Sequence, residues 1–463
     1  MFLLRDQHCQ HDCSGASRRD FLRIGALGIG GWTLPQLLAA RANAAPGSDP
    51  FRGKSLVLLF LSGGVSQHET FDPKNAAPAE YRCTTGTIPT AIPGVEFGSV
   101  YEGLAQRADR LAVVRSFAPH GIADHAKAIK HVLTSGTEDG TSIGSRFARF
   151  RGPSHPRTGM PSYATLIEEA ETDEQYIEDR DRMRVGSRPG GLGLACAPFT
   201  PGNGGEISDS MNLSLPAARL NERRELLASF DRFRQQADQN AVMDGMNSFE
   251  RQAFEVILGG SVRQALDLSR EDPRLVAKYD TSGFRVGWTR RRASTLGQRL
   301  LMARRLCQAG CGFVTVGSAG WDNHANGKHP NVRDGMKLLG RPLDKAVSAF
   351  LDDVEEQGLS NDILLVITSE FGRTPKLDKN GGRDHWPGLD TLVFAGGGLR
   401  MGQVIGESTS KAEEPKSDPI GYDGLLGTLW HTLFDVGQLR LRSNLPRELL
   451  AEIERVEPIR QLV

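Results

Sequence analysis

The residue types that can do chemistry gather in a few short stretches of this chain. Asp322 and His324 stand two residues apart in Gly320-Trp-Asp-Asn-His. Glu370 and Arg373 fall in Ser369-Glu-Phe-Gly-Arg-Thr-Pro, and Arg383, Asp384 and His385 in Gly382-Arg-Asp-His-Trp-Pro. His120 and His125 flank Asp124, and His68 lies in Ser66-Gln-His-Glu-Thr-Phe-Asp-Pro. Mixed imidazole and carboxylate suits zinc, manganese or iron, whereas calcium prefers an all-oxygen shell. A divalent ion held this way polarises a phosphoryl or sulfuryl oxygen, or generates hydroxide. Arg373 and Arg383 suit a bidentate grip on an oxyanion. A salt bridge to Asp384 or Glu370 within the loop is the equal alternative for either one.

The elements that must position these groups are legible as apolar runs. Ser55–Leu61, Leu111–Ser116, Phe313–Val316, Ile363–Ile367 and Thr391–Ala395 are short and apolar. Runs of this kind, bounded by turn signals, read as strands buried on both faces of a parallel sheet. Each candidate group follows the end of one of them, and in open α/β sheets ligands sit beyond the carboxyl ends of strands. A helix is predicted from about Asp124 to Leu133. Others carry buried stripes at Leu296, Leu300, Ala303 and Cys307, and at Leu343, Val347, Phe350 and Val354, with a last one over Asp423–Val436. Strands alternating with helices predict a doubly wound, mostly parallel sheet. Residues 137–212 are rich in Gly and Pro and read as long surface loops or a small lid. Residues 216–280 read as a helical insertion. Asp322 and His324 share a face if the extended chain continues past its strand. Glu370 is then a fourth ligand, or the acceptor that orients an imidazole.

Ser369-Glu-Phe-Gly-Arg-Thr-Pro, Gly382-Arg-Asp-His-Trp-Pro, Gly320-Trp-Asp-Asn-His, Thr70-Phe-Asp-Pro-Lys and Ser17-Arg-Arg-Asp-Phe-Leu-Arg together resemble the exported family of unknown function DUF1501, over nearly the whole chain. That family is similar to the sulfatase-like branch of the alkaline phosphatase superfamily. The resemblance implies an alkaline-phosphatase-like three-layer α/β/α sandwich that hydrolyses sulfate or phosphate esters with one or two metal ions. It implies Asp322, His324 and His385 as ligands of one divalent ion, zinc, manganese or iron. Two departures stand out. Phe371 occupies a position where the superfamily has a ligating His, and Ser62-Gly63 ends the first strand where an Asp is expected. The superfamily's nucleophile has no counterpart either, since Asp124 and His125 occupy its region. Two readings follow. One is a metal-dependent hydrolase of an anionic small-molecule or polysaccharide ester, with attack by His125 or metal-activated water, and with His120, Arg373 and Arg383 completing the site. The other is a non-catalytic exported binding or assembly protein that keeps the fold.

Bulk properties narrow the setting. The 463 residues carry 56 Lys+Arg against 56 Asp+Glu, so no global field points to nucleic acid. Arg18-Arg19, a broken apolar stretch and Ala42-Asn43-Ala44 predict a twin-arginine signal peptide over 1–44, read by that translocation machinery, with the mature domain over 45–463 in the periplasm or outside the cell. Gly28, Gly30, Gly31 and Pro35 interrupt the apolar stretch, which argues against a membrane span there, with a retained anchor as the alternative, and no stable span is expected in the mature chain. Cys83, Cys196, Cys307 and Cys311 remain after the leader and define no disulfide framework.

Overall fold

The computed structural model describes residues 49–119, 121–168, 173–201, 260–442 and 444–463. The twin-arginine segment, His120 and most of the helical insertion lie outside the described residues.

Seven strands form the central sheet: β1 (Ser55–Leu61), β2 (Ala112–Val114), β3 (Tyr163–Leu166), β4 (Phe313–Ser318), β5 (Ile363–Ser369), β6 (Leu392–Gly396) and β7 (Gln403–Ile405). Their order is β7-β2-β6-β5-β1-β4-β3. β1 pairs in parallel with both β4 and β5, and β6 alone runs against its neighbours β5 and β2. All five strands predicted from apolar runs are present, and the fold is the expected mostly parallel α/β sheet.

Alternation along β1 shows why the sheet is central. Val57, Leu59 and Leu61 enter the core on one face, and Leu56, Leu58 and Phe60 enter the core on the other. Successive side chains of a strand point to opposite faces, so an unbroken apolar run requires cover on both. The helices α4 (Leu296–Gln308) and α5 (Arg341–Glu356) cover the first face. The second is covered by α1 (His125–Thr134), α2 (Ile143–Arg151), α6 (Tyr422–Leu433) and α7 (Arg447–Arg455). The three layers are those of an α/β/α sandwich.

One expectation is corrected. Within 137–212, read as loops or a lid, the chain forms α2, the edge strand β3 and α3 (Glu174–Gly186). β3 is only four residues long and follows a Pro-rich turn, so its pairing with β4 decides its state rather than any local pattern. α3 has almost no apolar stripe, yet Tyr176, Asp179 and Met183 are buried. Of the insertion, Ser261–Leu266 and Pro273–Tyr279 are described, and both are helical. Cys83, Cys196, Cys307 and Cys311 are free, the last three buried. Among the described residues, no helix is long and apolar enough to cross a membrane.

Candidate metal centre

Register places the site. Leu61 of β1 pairs with Ser318 of β4 and with Ser369 of β5, so three strands end level with one another. Their exits deliver Ser62-Gly63-Gly64, Trp321-Asp322 and Glu370 to one edge. Gly63 has φ +118° there, and a Cβ on it would lie 2.5 Å from the Trp321 backbone nitrogen, so this approach needs glycine. α1 begins at the same edge. Asp124 caps it by accepting from the Lys127 backbone N–H at 2.9 Å, which makes His125 its first residue. His385 arrives on a two-stranded ribbon formed by Gly372–Arg373 and His385–Trp386.

His125, Asp322, His324 and His385 converge, each offering a ligand atom within 4.8 Å of the others. His324 Nε2 lies 2.8 Å from Asp322 Oδ1 and 2.9 Å from His385 Nε2. His385 Nε2 is 3.4 Å from Asp322 Oδ1, and His125 Nε2 is 3.5 Å from Asp322 Oδ2. The other nitrogen of each ring is bound to an oxygen. Nδ1 of His125 meets Glu370 Oε1 at 2.8 Å, that of His324 meets Asp384 Oδ1 at 2.8 Å, and that of His385 meets the Ala123 carbonyl at 2.7 Å. An acceptor on Nδ1 fixes the tautomer that leaves Nε2 bare, the arrangement that surrounds metal-ligating imidazoles. Two bare Nε2 atoms 2.9 Å apart repel unless a proton or a cation lies between them.

Buried atoms without partners reinforce the fit. His125 Nε2 and Glu370 Oε2 are both buried and make no hydrogen bond. Burying such groups unpaired costs about 1–3 kcal/mol each. Burial disfavours the His125 imidazolium, but the Asp322 and Glu370 carboxylates outweigh it and lift its pKa to about 10. Burial also resists ionisation of Asp322, yet Arg373 and the surrounding imidazoles hold its carboxyl far below the usual range. The cluster attracts positive charge, and its donor set of three imidazoles and one carboxylate suits a transition metal.

The arginines are placed differently from what a bidentate oxyanion grip requires. Arg373 is fully buried. Its Nε donates to the Gly64 carbonyl (2.9 Å) and Nη1 to the Arg383 carbonyl (3.0 Å), with His324 Nε2 at 3.4 Å, while Nη2 donates to the Gly63 carbonyl and Asp322 Oδ1. All five N–H groups are engaged. Arg383 is equally enclosed, bound to both oxygens of Glu69 and to the carbonyls of Thr374, Pro375 and Arg82. Its ion pair is with Glu69, and neither Asp384 nor Glu370 supplies it. The two arginines tie the loops around the cluster to the strand exits, and the one donor not held by an oxygen is the Arg373 Nη1–H that faces His324 Nε2.

His329 is the residue sequence reasoning missed. Its Nδ1 lies 2.8 Å from Asp322 Oδ2 and 3.0 Å from the Asp322 carbonyl. It sits in a loop, Gly327-Lys-His-Pro, that follows no strand directly. The seven-residue spacing to Asp322 is the sole local signal. His68 is buried and bound to the Lys411 carbonyl at 2.9 Å, while its neighbour Glu69 holds Arg383.

Residues 53–442 match the family described as "Protein of unknown function (DUF1501)". No curated protein matches the sequence. Three solved structures resemble the fold remotely. The lipoteichoic acid synthase LtaP from Listeria monocytogenes is 10% identical, with 91% of this chain and 82% of that one covered and a TM-score of 0.36. Ps i-CgsB, in complex with k-i-k-neocarrahexaose, is 9% identical, with 88% and 74% covered and a TM-score of 0.36. BT1596, a 2-O GAG sulfatase, is 10% identical, with 86% and 72% covered and a TM-score of 0.30. Likenesses at this level fix neither activity nor substrate.

Proposed function

The chain belongs to the DUF1501 family, and from that premise we propose that it is an exported, metal-dependent hydrolase of sulfate or phosphate esters. The observation that carries the proposal is the set of three imidazoles whose Nδ1 atoms are bound to oxygen and whose Nε2 atoms converge on buried Asp322. Asp322, His324, His385 and His125 hold one divalent ion, zinc, manganese or iron. When bound, that ion supplies Lewis acidity to an anionic ester oxygen. The chain's own groups do the rest. Glu370 keeps the His125 Nδ1 proton in place, Asp384 orients His324, and the Ala123 carbonyl orients His385. Arg373 pins Asp322 against the β1 exit through Gly63 and Gly64. Water is the attacking group in this reading, since the four side chains that converge are committed to holding the ion. Export follows the twin-arginine route, and replacing Arg18 and Arg19 together by Lys traps the precursor in the cytoplasm.

A second reading is favoured by the count of donors. Four protein ligands close a tetrahedral shell, as structural zinc sites do, and would give a non-catalytic binding or assembly protein. A catalytic site then needs an ion that accepts a fifth or sixth ligand. The test is elemental analysis of mature protein purified without chelator, followed by hydrolysis of p-nitrophenyl sulfate and p-nitrophenyl phosphate after loading with each metal. Stoichiometric metal with turnover supports the hydrolase. Stoichiometric metal without turnover supports the closed site, and no metal under any loading sinks both.

A further inference from the structure

Beyond the cluster, the chain runs through one helical stretch from Val332 to Glu356, with a π turn over Met336–Gly340. Arg333, Lys337, Arg341 and Lys345 recur along it at every fourth residue, and all four are exposed. A rise of 1.5 Å per residue sets successive cations about 6 Å apart along the axis. All four line a single open groove of about 840 Å³. A charged row on a helix is usually a convex, solvated face. This one lies in a concavity, and its charges are poorly compensated. Among the described residues, Asp334, 3.8 Å from Lys337, supplies the one ion pair the four make. Asp344 also lines the groove, but its carboxylate is occupied by the backbone N–H groups of Gly103 (2.9 Å) and Leu104 (2.8 Å). Glu102 is the remaining acid there.

The groove is joined to the metal centre through the chain. Arg333 follows His329 by four residues, and His329 touches Asp322. Arg333 Nε donates to the Thr84 carbonyl at 3.1 Å, and the Thr84 N–H donates to Glu69 Oε1, the partner of Arg383. The rest of the lining includes Thr85 and Ser99, whose hydroxyls are bonded within their own loop, and Phe284, whose ring suits an apolar sugar face.

We infer that this groove docks a sulfated glycan chain, whose successive sulfate groups meet the cations on the Val332–Glu356 helix. The inference deepens the hydrolase reading and rests on it for what happens to the bound polymer. A singly charged ester per repeat matches one cation per turn. A phosphomonoester carries about −1.5 to −2 and would be left partly unneutralised. A single-stranded nucleic acid would call for a series of stacking platforms, and the groove has Phe284 alone.

The experiment uses the mature full-length protein, lightly sulfated dextran as probe, and Lys337→Gln/Arg341→Gln/Lys345→Gln as the variant, with Tm and metal content matched to wild type. Wild type is expected to bind the polymer with a steep salt dependence. The triple variant is expected to bind about tenfold or more weakly, with a salt slope reduced roughly in step with the charges removed. Unsulfated dextran should not bind. His385→Ala should keep polymer binding while losing metal, so failure of the metal reading and failure of the groove are separately visible. Equal binding by the triple variant, no binding by wild type, or tighter binding of polyphosphate, single-stranded DNA or anionic vesicles than of sulfated dextran overturns the inference.

Discussion

On one face of the sheet, Arg304 of α4 is enclosed by acceptors. Its Nε reaches Asp353 Oδ2, Nη1 reaches Gln308 Oε1 and Nη2 reaches Glu271 Oε2, each at 2.8 Å. The Tyr279 hydroxyl and the Gln357 amide complete Asp353, and Arg305 completes Glu271. At the carboxyl edge of the same sheet, Asp322 is buried and heavily charged around, yet Glu370 Oε2 and Asp390 Oδ2 are left without partners and His125 Nε2 makes no hydrogen bond, with Asp322 Oδ2 3.5 Å away. Both regions hold buried charge in a low-dielectric setting, where a fully paired network rigidifies and an incomplete one is costly. The first fastens helices to one another. The second keeps polar atoms in reserve, as a site does when something else is to complete it. Buried charge alone would not have separated the two; completeness of pairing does.

The largest effect breaks the closed network. Asp353→Ala leaves the buried Arg304 Nε and the Tyr279 hydroxyl without their shared acceptor, with Glu271 as the one remaining carboxylate on Arg304, and loss of one partner of a buried pair costs about 3–5 kcal/mol. Urea unfolding should show that loss, with metal content per folded molecule unchanged. A loss below about 1 kcal/mol would mean that the network is not the fastening it resembles. Second comes His385→Ala at the open cluster. It should lower metal affinity by about a hundredfold or more, while the apo protein unfolds within about 1 kcal/mol of wild type, since His385 is half-buried on a short two-stranded ribbon outside the central sheet. Wild-type affinity in that variant would remove His385 from the ligand set. Third, Glu370→Gln keeps the shape beside His125 but removes the charge. A lost outer-shell carboxylate costs about 10–100-fold in affinity, so titration of the metal into the variant should show a drop near the lower end. A drop as large as that of His385→Ala would make Glu370 a direct ligand.

What the sequence made legible follows the range of the forces involved. β1, β4 and β5 announce themselves because burial on both faces demands an apolar residue at every position, a condition local to the strand. β3 and β7 are short edge strands whose state comes from the neighbour they pair with, and no residue pattern carries that. The cluster was half visible. Strand ends pointed to Asp322, His324 and His385, but the pairing of His125 with Glu370 joins residues 245 apart. His329 returns to Asp322 through a loop with no periodicity to flag it. The arginines show the limit most clearly. Composition says that Arg373 and Arg383 can bind an oxyanion, and only the surrounding carbonyls show that every donor is already engaged.

The smallest effect sharpens the comparison through pH. Asp390 sits beside the cluster, accepting from the Ser369 hydroxyl and from the Thr391 N–H at 2.6 Å, with Oδ2 unpaired. Burial, helped by the nearby Glu370 charge, lifts its pKa to about 7. The ordinary value is 3.8, so between the two the folded protein binds a proton that the unfolded chain does not hold. Stability from this group is therefore fully present below pH 3.8 and is lost as pH rises through about 7, by at most about 1.4 kcal/mol per pH unit. Asp390→Asn keeps acceptors for Ser369 and Thr391 and never ionises. The variant should match wild type in urea near pH 4 and exceed it near pH 8, both in apo form. Arg304 and Asp353 give the contrast, because their pair is complete and Asp353→Ala should be destabilised at both pH values. If Asp390→Asn shows no gain at pH 8, its carboxylate is already compensated, and the cluster is less open on that side than its unpaired oxygen indicates.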